Sequence, residues 1–145
     1  MTRTGTETGK VYLIGAGPGA VDLMTLRAVN MLHCADAVVY DRLVSAEILA
    51  LVPAGTRMVP VGKAPQCHTV PQDRINEILY ELASEGLTVA RLKGGDPLIF
   101  GRGSEEAAYL HARGIAVEYA PGITAAQGMA GATGVPLTHR GLATG

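Results

Sequence analysis

A chain of 145 residues has room for one domain with a proper core, and 48% hydrophobic against 17% charged residues describes a folded globule, not a disordered segment. A net charge of -1 with no block of like charge excludes the footprint of a nucleic-acid or acidic-membrane binder and leaves small molecules as the expected partners. No apolar run approaches a membrane span, no apolar signal core opens the chain, and Cys34 and Cys67 frame no disulfide set, so a cytoplasmic location with reduced thiols is expected.

Residues 1–9 read as a disordered polar tail. Lys10 to Ile14 is a short apolar run stopped by Gly15, and Ala37 to Tyr40 another stopped by Asp41; both have the character of buried strands. Between them Thr25 to Ala35 carries Leu26, Val29, Leu32 and His33 at helical spacing, with Thr25 as N-cap and Cys34 as a small buried residue. Ser45 to Val52 is a second helix stopped by Pro53, and Arg57 to Val61 a third strand ending at Gly62-Lys63. Residues 70–85 form the clearest helix. Ile75, Ile78, Leu79 and Leu82 share one face, Thr69 and Gln72 make a capping box, and Gly86 ends it. Leu87 to Leu92 is a fourth strand, and Ser104 to Arg113 a helix whose Glu105 and Glu106 at the start and Arg113 at the end agree with the macrodipole. Ile115 to Tyr119 is a fifth strand. Thr124 to Thr133, built mostly from Ala and Gly, is a helix expected to pack with close backbone contact.

Strands alternating with helices predict an α/β fold, a mainly parallel five-stranded sheet with helices on both faces. In such sheets ligands sit past the carboxyl ends of the strands. Five strand ends carry unusual residues: Gly15-Ala16-Gly17-Pro18-Gly19, Tyr40-Asp41-Arg42, Gly62-Lys63, Gly94-Gly95-Asp96 and Pro121-Gly122-Ile123-Thr124. Parallel strands would bring all five to one edge. Gly15 to Ala20 matches the dinucleotide fingerprint GxGxx[GA], but Pro18 removes a backbone donor and the next helix start, Thr25, lies too far on to hold a pyrophosphate. An adenosyl ligand without a phosphate chain fits the loops better. Cys67-His68 offers no second ligand pair, so no metal is expected. His33 and His111 fall on helices, as core or surface residues; His68 and His139 fall in loops without an assigned role.

Taken in order, GAGPG at 15–19, YDRLV at 40–44, VGK at 61–63, RLKGGDP at 91–97, FGRG at 100–103, PGIT at 121–124 and PLTHR at 136–140 resemble the tetrapyrrole methylases, and within them the branch that methylates uroporphyrinogen III. The match runs from about Lys10 to Arg140. It implies an S-adenosylmethionine-dependent C-methyltransferase, with S-adenosylhomocysteine as product, acting at C2 and C7 of uroporphyrinogen III to give precorrin-2 on the branch toward sirohaem and cobalamin. It also implies that residues 10–145 correspond to the first of two α/β domains with the cofactor in the cleft between them, that this half alone is inactive, and that the whole protein is a homodimer. Carried over position by position, the resemblance makes Pro18, Gly94, Gly95, Asp96, Ile99, Thr124 and Ala125 cofactor-binding, Asp41 the proton acceptor and Lys63 the proton donor. Arg42, Arg102 and Arg140 sit in the candidate loops as partners for the substrate's carboxylates. Another precorrin methyltransferase, or a non-catalytic module that binds S-adenosylmethionine, are the alternatives.

Overall fold

The computed structural model describes residues 7–62 and 70–142. Five strands, β1 (Lys10–Gly15), β2 (Ala37–Tyr40), β3 (Arg57–Pro60), β4 (Thr88–Lys93) and β5 (Ala116–Ala120), alternate with α1 (Leu26–Cys34), α2 (Ala46–Leu49), α3 (Gln72–Ser84), α4 (Gly103–His111) and α5 (Ala125–Thr133). The sheet order is β3-β2-β4-β1-β5 and every pairing is parallel. Residues before β1 are tied at least from Gly9, whose N–H donates to the Ala83 carbonyl at 2.7 Å, so the expected tail ends sooner than Gly9.

Alternation along the strands divides the core in two. Val11, Leu13, Val39 and Val89 pack against Ile75, Leu79 and Leu82 of α3 and Ala107 and Leu110 of α4. Tyr12, Ile14, Val38, Ala90 and Leu92 face Ala28 and Leu32 of α1 and Ile48 of α2. Both sheet faces are therefore covered, as the sequence pattern requires of near-continuous apolar strands. At the central strand β4 the same alternation sends Arg91 and Lys93 to the α3/α4 face with Val89.

Four local expectations need correction. In α1 the buried line is Ala28 and Leu32, so Leu26 and Cys34, each two residues or about 200° away around the helix, are exposed. The first described turn of α3 has Pro71 at the N-cap with no side-chain cap, and Gln72 Nε2 instead donates to Asn76 Oδ1 at 2.9 Å; Thr69 lies outside the described residues. The capping box belongs to α5, where Thr124 and Gln127 satisfy each other's backbone N–H groups. Yet α5 buries none of its residues. Of its two glycines only Gly128 is closely approached: an added Cβ there would lie 2.6 Å from the Pro18 ring. Gly131 meets nothing within 4 Å at ordinary φ. Gly131→Ala is accordingly expected to raise the stability of the chain by about 0.5–1 kcal/mol, read from the denaturation midpoint, whereas Gly128→Ala lowers it.

Candidate functional site

All five parallel strands end on one edge, and there the loops that follow β1, β4 and β5 meet backbone to backbone. Gly17 and Gly95 form an isolated antiparallel bridge, each N–H donating to the other's carbonyl at 3.2 and 2.8 Å, with φ of +74° and +65°. A Cβ on Gly15 would lie 2.6 Å from both Gly122 N and Gly95 O, and one on Gly122 would overlap the Gly95 carbonyl. Asp96 clips the arrangement. Its Oδ2 accepts from Gly122 N–H at 3.0 Å, and its Oδ1 accepts from Leu98 N–H at 2.9 Å, which closes the turn that follows. A Cβ added at Gly95 would lie 3.8 Å from the Cα of Thr124, at the start of α5.

A cleft of about 500 Å³ opens above this floor, lined by Gly17, Pro18, Leu43, Gly94, Gly95, Asp96, Ile99, Phe100, Thr124, Ala125 and Ala126. All seven residues expected to hold a cofactor are in that wall. Leu43 and Phe100 were missed in the sequence. Phe100, the chain's one phenylalanine, is fully exposed at φ +52°, and Arg102 follows at φ +56°. Such conformations cost non-glycine residues about 1 kcal/mol or more each. They are fixed by the tight return of the loop, in which Gly103 N–H donates to the Pro97 carbonyl at 2.9 Å and Gly101 leaves no room for a Cβ.

A second, smaller pocket of about 220 Å³ adjoins the cleft and shares Leu43, Gly94 and Phe100 with it. Its remaining wall is Asp41, Gln72, Arg91, Lys93, Gly101 and Arg102. Asp41 Oδ1 accepts from Leu43 N–H at 3.0 Å, so the carboxylate caps its own turn while lining the pocket. Arg102 is exposed and pairs with Glu105 at 2.8 Å. Arg42 and Arg140 are exposed and line neither space. Lys63, with Cys67 and His68, lies outside the described residues. Glu106, read in the sequence as a partner of the helix dipole, is fully buried and holds both Arg91 and Lys93. The signal that points to it is two cations at i and i+2 of a buried strand, which demand an anion on the facing helix.

An all-parallel α/β sheet with a glycine-floored cleft at its carboxyl edge is the architecture of a small-molecule site, in which bare backbone can approach a ligand. The matching family model is that of the Tetrapyrrole (Corrin/Porphyrin) Methylases, over residues 10–144, and the chain belongs to that family. It is 61% identical over 137 residues to a uroporphyrinogen-III C-methyltransferase of Paracoccus denitrificans, covering 94% of this chain and 48% of that one. With a sirohaem synthase of Pseudoalteromonas atlantica the identity is 58% over 91% of this chain and 29% of that one. A uroporphyrin-III C-methyltransferase of Thermus thermophilus, solved with S-adenosylhomocysteine, superposes with a TM-score of 0.80 at 47% identity, over 94% of this chain and 57% of that one. The chain thus spans less than half the length of the curated relatives it matches. Among the described residues no helix is long and apolar enough to cross a membrane.

Proposed function

We propose that the chain supplies one wall of an S-adenosylmethionine-dependent methyltransferase site that methylates C2 and C7 of uroporphyrinogen III to give precorrin-2. The observation that carries this reading is the cleft itself, whose floor is peptide backbone and whose wall contains Pro18, Gly94, Gly95, Asp96, Ile99, Thr124 and Ala125 together. Its volume lies in the range of small-molecule sites. Its chemistry suits a thioether nucleoside: Leu43, Ile99, Phe100 and Ala125 are apolar, while Asp96 and Thr124 offer hydrogen-bonding groups. When bound, S-adenosylmethionine supplies an electrophilic methyl on a sulfonium.

The chain's own residues have three tasks. Gly94 and Gly95 let the backbone approach the ligand, and Asp96 keeps the loops after β4 and β5 in register, so that the reacting atoms are aligned before chemistry. Leu43 and Phe100, which line both spaces, present apolar surface at the point of transfer. Methylation of an electron-rich pyrrole carbon would form a C–C bond as the sulfonium S–CH3 bond breaks and S-adenosylhomocysteine leaves as the neutral thioether, and the ring cation that remains must lose a proton. Asp41, in the neighbouring pocket, takes that proton, and Lys63 serves as the proton donor of the same reading. In this reading Arg102, in the wall of the smaller pocket, meets substrate carboxylates, and Arg42 and Arg140, which line neither space, meet those that extend beyond it.

The reading assigns the opposite wall of the cleft to the additional length of such relatives, and it includes a cytosolic homodimer in the whole protein. Exposed Met129, Val135, Leu137 and Leu142 support an apolar partner for the α5 side.

Calorimetric titration with S-adenosylhomocysteine tests the cofactor assignment. Saturable binding by this chain, weak because one wall covers little of a ligand, and its loss in Asp96→Ala with the unfolding temperature followed alongside, is the expected result. Failure of the wild-type chain to bind would remove the assignment of the cleft.

A further inference from the structure

The loop after β1 brings Pro18 to the cleft wall, and the segment after β2 brings Leu43. The inner end of the first loop is fixed by main chain: Ala16 N–H donates to the Lys93 carbonyl at 2.7 Å, and Gly17 is bridged to Gly95. Farther out, Gly19 turns at φ +130°, where an added Cβ would meet nothing within 4 Å, so no close packing on that side locks the chain. A side chain reaches it instead. Ser45 Oγ donates to the Gly19 carbonyl at 3.0 Å, in a half-buried bond between residues 26 apart in sequence. Ser45 is also the N-cap of α2, and the same oxygen accepts from Ile48 N–H at 3.3 Å. Capping needs only an acceptor, which aspartate supplies as well as serine does; the bond to Gly19 needs the hydroxyl proton.

The far end of that bond is well anchored. Asp41 Oδ1 accepts from Leu43 N–H at 3.0 Å, Val44 N–H donates to the Asp41 carbonyl at 3.4 Å, and Val44 and Ile48 are buried in the core on either side of Ser45. The turn from Asp41 to Ser45 therefore sits on the core as a unit. We propose that Ser45 is a positioning residue of the cleft: its hydroxyl ties the loop that carries Pro18 to the turn that carries Asp41 and Leu43, and so sets the gap that an adenosyl ligand enters. The inference rests on the S-adenosylmethionine reading of the cleft and adds to it a residue that lines neither space and acts through Pro18. The Pro18 ring already rests against Gly128 of α5, so with the Gly19 carbonyl bound to Ser45 this wall is held from two elements, α5 and α2. Holding the wall before the ligand arrives lowers the ordering cost of binding.

The test separates the two tasks of the hydroxyl. Ser45→Asp keeps the cap but has no proton to give Gly19, Ser45→Thr keeps both bonds, and Ser45→Ala removes both. Each variant is titrated with S-adenosylhomocysteine by calorimetry, and amide hydrogen exchange is followed by NMR at Ile48, which reports the cap, and at Gly17, which reports the loop. Ser45→Asp is expected to weaken S-adenosylhomocysteine binding about fivefold or more and to speed Gly17 exchange about threefold or more, with Ile48 protection and the unfolding temperature unchanged. Ser45→Thr is expected to restore both wild-type values. Unchanged affinity and unchanged Gly17 exchange in Ser45→Asp would overturn the proposal. So would a Ser45→Thr chain as impaired as Ser45→Ala, or loss of Ile48 protection in Ser45→Asp in step with Gly17, because the effect would then belong to the helix cap. If the wild-type chain does not bind S-adenosylhomocysteine, the cofactor reading falls by itself, and Gly17 exchange in Ser45→Asp and Ser45→Thr decides whether Ser45 holds the loop.

Discussion

Gly122→Ala is expected to lower stability by about 3 kcal/mol or more and to abolish S-adenosylhomocysteine binding, although it adds a single methyl group. The added Cβ would overlap the Gly95 carbonyl and lie 2.9 Å from Gly15 Cα, and both of those are backbone. No rotamer change relieves a clash between two main chains; the loops after β1, β4 and β5 have to separate. Separation breaks the Gly122 N–H bond to Asp96 and opens the cleft floor. Gly114→Ala is the control. There the methyl meets nothing within 4 Å, and the cost is only that of an L-residue at φ +77°, about 1–2 kcal/mol, with ligand binding intact. Urea denaturation and calorimetry on the two variants read both effects. A Gly122→Ala chain as stable as Gly114→Ala would show that the loops yield more easily than their contacts imply.

Glu106→Gln is expected to cost about 3–5 kcal/mol near neutral pH, the range for removing one partner of a buried ionic group. The amide nearly matches the carboxylate in shape, so the loss isolates the charge. Two buried cations would remain without their anion, and Lys93, already held low by burial, would lose the two Glu106 interactions that raise its pKa. In the variant the unfolded chain then binds the Lys93 proton more tightly than the folded chain does. Stability therefore rises with pH between the depressed folded value and the unfolded lysine value of 10.5. The deficit relative to wild type should shrink when denaturation is repeated about one unit below that upper limit. A deficit that stays constant across that window would mean that Arg91, which does not titrate there, carries the whole penalty.

Most of the fold can be read from the residues because the central strands are short apolar runs, β1 and β4 ending at glycine and β2 at aspartate, and α1 and α2 carry their own N-caps in Thr25 and Ser45. The order β3-β2-β4-β1-β5 cannot be read the same way, since parallel strands joined by long crossovers carry no local mark of their neighbours. The cleft was legible where its residues are main-chain formers such as Gly94, Gly95 and Pro18. The rest of the wall was hidden. Leu43 and Phe100 look like core residues in sequence, and only a loop that returns within seven residues, Pro97 to Gly103, explains why Phe100 stands in solvent. Asp96 was read as a ligand group, and the structure gives both of its oxygens backbone donors, which makes it a clip as well. The packing expected of α5 failed for a related reason. Small residues permit close approach, but they create it only where another chain segment is present, and in α5 that happens at Gly128 alone among its glycines.

A cleft floor made of peptide groups from three separate crossovers changes how the site can diverge. Side chains can be exchanged by degrees, from leucine to valine to alanine, and a pocket built from them drifts in size and polarity. Peptide groups have no such gradations. At Gly15 and Gly122 the alternatives are glycine or a displaced loop, so the floor is either kept whole or lost. Variation in what the cleft accepts is then confined to its rim, to Pro18, Leu43, Ile99 and Phe100, whose side chains can change without moving the backbone beneath.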